Sequence, residues 1–225
     1  MTSPRHDART TASELLASLP DWFSLVGAPE RSCVFEILEL VQLEAGTHLL
    51  DIGCGSGHLL ATAASREPSA VLAGVDPDLD AIEVARSKMR HAPSRVGLYR
   101  TRAESLPFES DAFDVVTATM VVRGLARATR TAALAECRRV LMPGGRLVVA
   151  EWQPLRRAAH DVLGTLPALV KPATAALRVL GVRDRGTSDV VSWLTDAGFE
   201  GAETVSARWT VAGAIEITIG YRPVC

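Results

Sequence analysis

The spacing of the hydrophobic positions changes at Gly46. Before it, residues 12–44 carry apolar residues at roughly helical spacing, interrupted by Pro20 and Pro29, which predicts about two or three N-terminal helices. After it, short apolar runs typical of buried strands alternate with amphipathic helical segments as far as Trp152. Because parallel strands need crossover connections, this alternation predicts a mostly parallel sheet with helices on both faces.

The rest of the chain breaks this regularity twice. Residues 152–186 are apolar and punctuated by prolines, which predicts a largely helical insertion after the fifth strand. Beyond the helix predicted for "TSDVVSWLTDAG", two β-rich runs meet at a turn around Ala212 and Gly213, which predicts an antiparallel hairpin at one sheet edge. The fold class is therefore α/β, with a seven-stranded, mostly parallel sheet. We expect one domain over residues 1–225, made of N-terminal helices (1–45), a cofactor-binding core (46–151), a helical lid (152–186), and a C-terminal helix and hairpin (187–225).

The charge of the chain favours a small-molecule substrate. Lys and Arg number 24 and Asp and Glu number 26, so no strong field is available to attract nucleic acid or an anionic membrane. No segment reaches the ~18 consecutive apolar residues of a membrane span, and we see no secretory signal. The four cysteines are scattered without a C-x-x-C pair, so neither a disulfide framework nor a metal site is indicated, and we expect a cytoplasmic protein.

The stretch "LLDIGCGSGHLL", residues 49–60, places a glycine-rich loop between a buried strand and a helix. Gly53, Gly55 and Gly57 let the backbone turn sharply and approach a ligand closely. The dinucleotide fingerprint G-x-G-x-x-G places its third small residue where this chain has His58, which lowers the expectation of NAD without excluding it. The loop alone therefore predicts a nucleotide-like ligand but does not choose between ligands.

Asp76 closes the next predicted strand, "AVLAGVD". A carboxylate at this position can accept hydrogen bonds from both hydroxyls of a ribose, which suits any adenosine ligand. The alternative is a structural role as the N-cap of the following helix, "PDLDA". We favour the binding role because the acid and the glycine loop occur together.

Two further strings complete an ordered set. "RAESLPFESDAFDVV" places Ala103 and Glu104 at the end of the third strand, and "RRVLMPGGRLVVAEW" places a turn at Pro143, Gly144 and Gly145 before the fifth. Together with "LLDIGCGSG", the set resembles the class I S-adenosylmethionine-dependent methyltransferases, especially the branch that includes ubiquinone and menaquinone biosynthesis methyltransferases. The resemblance runs from about residue 43 to 152 and implies a Rossmann-like sheet. We expect the Pro-Gly-Gly turn to be structural, because it lies away from the expected ligand crevice.

The resemblance implies a role for each matching residue. The backbone of the glycine loop would hold the methionine portion of S-adenosylmethionine, Asp76 would bind the ribose, and Glu104 with the backbone of Ala103 would mark the polar edge of the adenine. The implied cofactor-binding residues are Asp51, Gly53, Cys54, Gly55, Gly57, Asp76, Pro77, Ala103, Glu104 and Thr119. For Cys54, a small buried side chain is favoured over a nucleophile, because the sequence offers no evident histidine partner.

The candidates for catalysis lie further along the chain. Arg123, in "MVVRGLARA", matches an arginine of the family, but Gly124 replaces the side chain that follows it in relatives. His160 and Asp161 lie in the insertion that leaves the fifth strand, where a segment can roof the crevice, so they are the candidate base. The alternative is a solvated polar patch on an amphipathic helix.

The leading hypothesis is methyl transfer from S-adenosylmethionine to oxygen or carbon of a small, apolar or aromatic metabolite, such as a quinone or polyketide. The alternatives are a non-methylating cyclisation or rearrangement on the same scaffold, a non-catalytic cofactor-binding subunit, and an NAD-dependent oxidoreductase. The apolar insertion would serve as a lid over such a substrate, as core packing or as a homodimer interface, and the sequence leaves these alternatives open.

Overall fold

A computed structural model of the chain describes residues 29–154, 190–210 and 213–224. The strands are β1 His48–Ile52, β2 Val71–Asp76, β3 Arg95–Arg100, β4 Phe113–Thr119, β5 Leu141–Pro154, β6 Glu200–Thr210 and β7 Gly213–Tyr221. The α-helices of these ranges are α1 Pro29–Val41, α2 His58–Arg66, α3 Leu79–Met89, α4 Arg127–Val140 and α5 Val190–Asp196, with a 3-10 helix at Val122–Gly124. The described helices include none that is long and apolar enough to cross a membrane.

The seven strands form one sheet in the order β3-β2-β1-β4-β5-β7-β6. Strands β1 to β5 pair in parallel, and β7 pairs antiparallel with both β5 and β6. The predicted fold class is confirmed, including the C-terminal hairpin, whose second strand lies inside the sheet and whose first strand forms the edge. Residues 211 and 212 of the predicted turn lie outside the described residues.

Two apolar clusters cover the two faces of the sheet. One contains buried residues of α1 and α2, such as Ile37 and Leu60, and the other contains buried residues of α4 and α5, such as Leu134 and Leu194. Strand β1 is buried along most of its length because helices cover both of its faces, as expected of a central parallel strand. Sandwiching the sheet in this way leaves the ends of the strands as the places where ligands can reach the backbone.

The turn predicted at Pro143, Gly144 and Gly145 is wrong as a separate element, because β5 already begins at Leu141 and runs through it. The strand is irregular at this point: Leu141 pairs with Phe113, but the register with β4 resumes only at Arg146. Gly144 has a φ of 79° and donates its N–H to the carbonyl of Arg222, 3.0 Å away. The segment is therefore a bulge held by the backbone of Arg222, and it lies at the amino end of β5, opposite the carboxyl ends of the parallel strands.

We predict that Gly145→Ala destabilises the protein by roughly 1–3 kcal/mol, since a Cβ there has no room. It would stand 2.9 Å from the carbonyl oxygens of both Asp114 and Met142. The matched control is Gly124→Ala, where a Cβ meets nothing within 4 Å, and it should stay within about 1 kcal/mol of the parent. Urea unfolding of both variants checks this, and equal stabilities would contradict the packing argument.

Candidate cofactor and active site

The strand order reverses at β1, which lies between β2 and β4. Crossovers leave the sheet in opposite directions on either side of such a point, so a crevice opens beyond the carboxyl ends of the strands. The glycine loop follows β1, Asp76 ends β2 and Thr119 ends β4. The fold therefore brings three of the sequence-predicted positions to the same end of three neighbouring strands.

The glycine loop is folded against the end of β2. Gly53, Gly55 and Gly57 have φ of 67°, 50° and 72°, a region that favours glycine. The N–H groups of Gly53 and Cys54 both donate to the carbonyl of Val75, at 2.8 and 3.0 Å, and that of Gly57 donates to the carbonyl of Cys54 at 2.8 Å. These loop amides are thus already bonded within the protein, and few remain to bind the phosphates of a dinucleotide.

Gly53 and Gly55 differ in what lies beside them. A Cβ on Gly53 would collide with the side chain of Val121, so the loop approaches the chain after β4 closely. A Cβ on Gly55 would meet nothing within 4 Å, so this glycine borders open space. The loop therefore presents bare backbone on one side and rests on the protein on the other.

Asp76 joins two segments with its carboxylate. Oδ2 accepts the N–H of Gly55 at 3.0 Å, and Oδ1 accepts the N–H of Asp78 at 2.8 Å. The N-cap of α3 is Asp78, whose Oδ1 accepts the N–H groups of Asp80 and Ala81 at 2.9 and 3.4 Å. The alternative interpretation of Asp76 as the helix cap is therefore wrong, and each of its oxygens keeps capacity for a further donor.

Asp51 near the end of β1 and the side chain of Cys54 within the loop are both buried. Thr117 donates to Oδ1 of Asp51 at 2.8 Å, and burial, with a smaller contribution from Asp76, raises the pKa of Asp51 to about 7. Burial also raises the pKa of the Cys54 thiol far above its usual range. A thiol held protonated is a poor nucleophile, which agrees with the prediction of a small packed side chain.

The loop after β3 begins beside Asp76, whose carbonyl accepts the N–H of Thr101 at 3.2 Å. Ala103 packs against the apolar cluster of α4 and α5, and the side chain of Glu104 is 28% exposed. Pro77 is exposed directly after β2. The predicted adenine-edge residues and the predicted ribose ligand thus lie on adjoining segments.

Several buried polar atoms near the ends of β4 and β5 have no hydrogen-bond partner in the part of the chain that the structure describes. The hydroxyl of Thr119, the Nε and Nη2 atoms of Arg123 and the indole nitrogen of Trp152 are buried, and none has a hydrogen-bond partner among the described residues. The Arg123 guanidinium lies 5.6 Å from the ring centroid of Trp193, and that of Arg130 lies 3.9 Å from the same ring. Buried donors of this kind can bind an oxygen of a ligand.

Glu151 was not among the residues predicted from the sequence. It is 2% exposed near the end of β5, and one carboxylate oxygen accepts the N–H of Arg123 at 3.0 Å. Burial raises the pKa of Glu151 to about 7, although backbone hydrogen bonds and the Arg123 charge oppose the shift. The sequence does contain a signal for this residue, because an acid inside the apolar run "RLVVAEW" indicates a buried carboxyl group.

His160 and Asp161 lie outside the described residues, as does the predicted lid apart from its first residues, 152–154. Of the predicted catalytic residues, the structure therefore describes Arg123 alone.

Comparison with known proteins gives a consistent result. A family model for a methyltransferase domain matches residues 49–145. The demethylmenaquinone methyltransferase of Clavibacter sepedonicus is 31% identical over 191 residues, covering 80% of this chain and 75% of that enzyme. The demethylmenaquinone methyltransferase of Symbiobacterium thermophilum is 36% identical over 119 residues, covering 52% of this chain and 47% of that enzyme. In the solved structure of an S-adenosylmethionine-dependent methyltransferase from Methanosarcina mazei, the fold matches with a TM-score of 0.60 at 21% identity, over 84% of this chain and 98% of that one.

We predict that Glu151→Gln changes how stability depends on pH. Because folding raises the pKa of Glu151 from 4.5 to about 7, ionising it costs the folded state stability as the pH rises through this interval. Relative to the variant, the free energy of unfolding of the wild type should fall by roughly 3 kcal/mol between about pH 4.5 and 7. Above this interval it should fall little further. Urea unfolding across this range tests it, with Glu109→Gln at an exposed position as the control. Parallel curves for wild type and Glu151→Gln would contradict the shift.

Proposed function

The chain belongs to the class I S-adenosylmethionine-dependent methyltransferases, and we propose that it methylates an oxygen or carbon of a small, apolar or aromatic metabolite such as a quinone or polyketide. The observation that carries the proposal is the buried Thr119 hydroxyl, which has no partner among the described residues and ends β4 directly beside β1 and its glycine loop. A small-molecule acceptor is favoured over nucleic acid because the charges of the chain nearly balance. The named activity of the Clavibacter relative supports a quinone-like acceptor in particular.

The residues present fit S-adenosylmethionine. S-adenosylmethionine carries a positively charged sulfonium and has no pyrophosphate. This end of the sheet offers carboxylates at Asp51, Asp76 and Glu104, which suit a cation better than an anion. The internally bonded amides of the glycine loop would suit a phosphate poorly, and the open side of Gly55 leaves room for a ligand against the backbone. The buried hydroxyl of Thr119 lacks a partner among the described residues, as a ligand-facing group would before binding.

In this proposal the ends of β1, β2 and β4 would hold the cofactor. The backbone from Gly53 to Gly57 and the Thr119 hydroxyl would hold its methionine portion, and Asp51 and the Cys54 side chain would support the loop. Asp76 would accept hydrogen bonds from the ribose hydroxyls, because Gly55 and Asp78 use only part of its oxygen capacity. Pro77 would contact the adenine, and Ala103 with Glu104 would bind its polar edge.

Bound S-adenosylmethionine supplies a methyl group on a positively charged sulfur, which reacts with an aligned nucleophile without further activation. The contribution of the protein is therefore mainly alignment and the exclusion of water. Arg123 binds an oxygen of the acceptor through the guanidinium nitrogens that have no partner among the described residues. Where the nucleophile is a hydroxyl or an acidic carbon, His160 or Asp161 would take up its proton as general base, which can add about 100-fold or more.

We predict that Asp76→Asn weakens binding of S-adenosylhomocysteine by roughly 10- to 100-fold, because hydrogen bonds to a charged acceptor are worth about 1.5–3 kcal/mol. Binding of the 3′-deoxy analogue should fall less, since that ligand lacks one of the two ribose donors. Asp78→Asn is the matched control, because asparagine caps a helix as well as aspartate does, and it should bind like the wild type. Calorimetric titration measures all three, and unchanged affinity in Asp76→Asn would refute the ribose role.

A panel of acceptors tests the proposed reaction. We expect demethylated quinols, phenolic polyketides or related aromatic compounds to be turned over with release of one S-adenosylhomocysteine per methyl group gained by the product. Small polar acceptors such as free amino acids are the control and should not react. A rearranged product without S-adenosylhomocysteine would instead support the cyclisation alternative, and cofactor binding without turnover of any acceptor would support a non-catalytic subunit.

A further inference from the structure

Two charged side chains of α4 reach across to the loop between β3 and β4. Glu136 and Arg139 face each other one helical turn apart, and the guanidinium meets the carboxylate with two contacts, Nε to Oε1 at 2.6 Å and Nη2 to Oε2 at 2.8 Å. Their side chains are 22% and 33% exposed, so the pair is partly shielded from water. A bidentate pair of this kind has a fixed geometry.

The same two side chains bind the backbone of the loop. Oε2 of Glu136 accepts the N–H of Leu106 at 2.9 Å. Arg139 donates from Nη1 to the carbonyl of Phe108 at 2.8 Å and from Nη2 to the carbonyl of Leu106 at 3.3 Å. We call this arrangement of Glu136 and Arg139 on residues 106–108 the α4 clamp. It provides hydrogen-bond partners to backbone groups that belong to no helix or strand.

The other end of the loop is tied to β2. The N–H of Thr101 donates to the carbonyl of Asp76 at 3.2 Å, and the Thr101 hydroxyl closes a short turn by donating to the carbonyl of Ser105 at 2.7 Å. Ala103 and Glu104 lie within that turn, between the attachment at Asp76 and the α4 clamp. Their position relative to the end of β2 is therefore set from both sides.

We propose that the α4 clamp is a positioning device that holds Ala103 and Glu104 where they can read the edge of the adenine ring. The inference rests on the proposed function, which assigns these two residues to the adenine. Apolar contacts also hold the loop against the protein. Leu106 is buried, and the ring of Phe108 contacts those of Tyr99 and Phe113 at centroid distances of 5.1 and 5.0 Å. Such contacts are not directional, so they do not prevent the loop from sliding along its own backbone. Directional hydrogen bonds to the backbone do fix it.

A similar ion pair on α3 makes no hydrogen bond with the described residues 101–108 and so serves as a comparison for the α4 clamp. Glu83 and Arg86 have the same spacing and a contact of 2.6 Å, but their side chains are 59% and 49% exposed. Nη2 of Arg86 also donates to the carbonyl of Leu98 at 3.4 Å, which lies in β3 and outside the loop. Arg86→Gln therefore removes an ion pair of equal spacing without touching residues 101–108, and it is the matched control.

The test measures discrimination between bases rather than stability. S-adenosylhomocysteine and S-inosylhomocysteine, in which oxygen replaces the exocyclic amine, are titrated calorimetrically against the full chain. The wild type should prefer the adenosyl ligand. In Arg139→Gln and Glu136→Gln, affinity for the adenosyl ligand should fall about tenfold, since a misplaced loop loses a charged hydrogen bond, while affinity for the inosyl ligand changes little. Arg139→Lys should recover part of the preference, and Arg86→Gln should keep all of it.

A merely structural role for the clamp would lower the thermal midpoint and leave the ratio of the two affinities unchanged, and that result would overturn the inference. If Arg139→Gln does not fold, Glu136→Gln decides, because glutamine nearly matches glutamate in shape but lacks the charge that fixes the Arg139 guanidinium. If the wild type bound both ligands equally, the proposed role of Ala103 and Glu104 in binding the adenine would be refuted. The proposed role of the clamp would then be refuted as well. A wild-type preference that survives in the variants would overturn the clamp alone.

Discussion

The site depends on the hydrogen bonds between the glycine loop and the end of β2. The carbonyl of Val75 accepts two loop amides, and the carboxylate of Asp76 accepts a third from Gly55. These bonds force the backbone after β1 to turn back over β2 before α2 begins, which is possible only with glycine at the positions of positive φ. A change in the loop is thus also a change at Asp76, and the two act as one unit.

The same unit explains why a cationic ligand suits this end of the sheet. Using the loop amides internally removes most of the donors that an anion would need, while Asp51 and Asp76 concentrate acidic groups there. Burial raises the pKa of Asp51 to about 7, so a neutral Asp51 and an ionised one are close in free energy at physiological pH. A positive charge bound nearby would favour the ionised form of Asp51.

Much of the fold was predictable because its signals are local. The seven strands and their helices follow from the spacing of apolar residues, and the parallel pairing follows from their alternation. The Pro143 to Gly145 segment shows the limit of such signals. Its composition is that of a turn, yet pairing with β4 on one side and the bonds to Arg222 on the other make it a bulge inside β5.

The sequence by itself determined the order of the candidate binding residues along the chain. A glycine loop comes first, an acid follows at the end of β2 and another acid follows β3, in the pattern of a known family. Only the tertiary structure decided which acids are buried and what they bind. Asp78 caps α3 and releases Asp76 from that role, Glu151 is buried near the end of β5, and Glu136 of α4 accepts the N–H of Leu106 in the loop after β3. The contacts of Glu151 and Glu136 join residues far apart in the chain, and no local pattern of hydrophobic and polar residues encodes them.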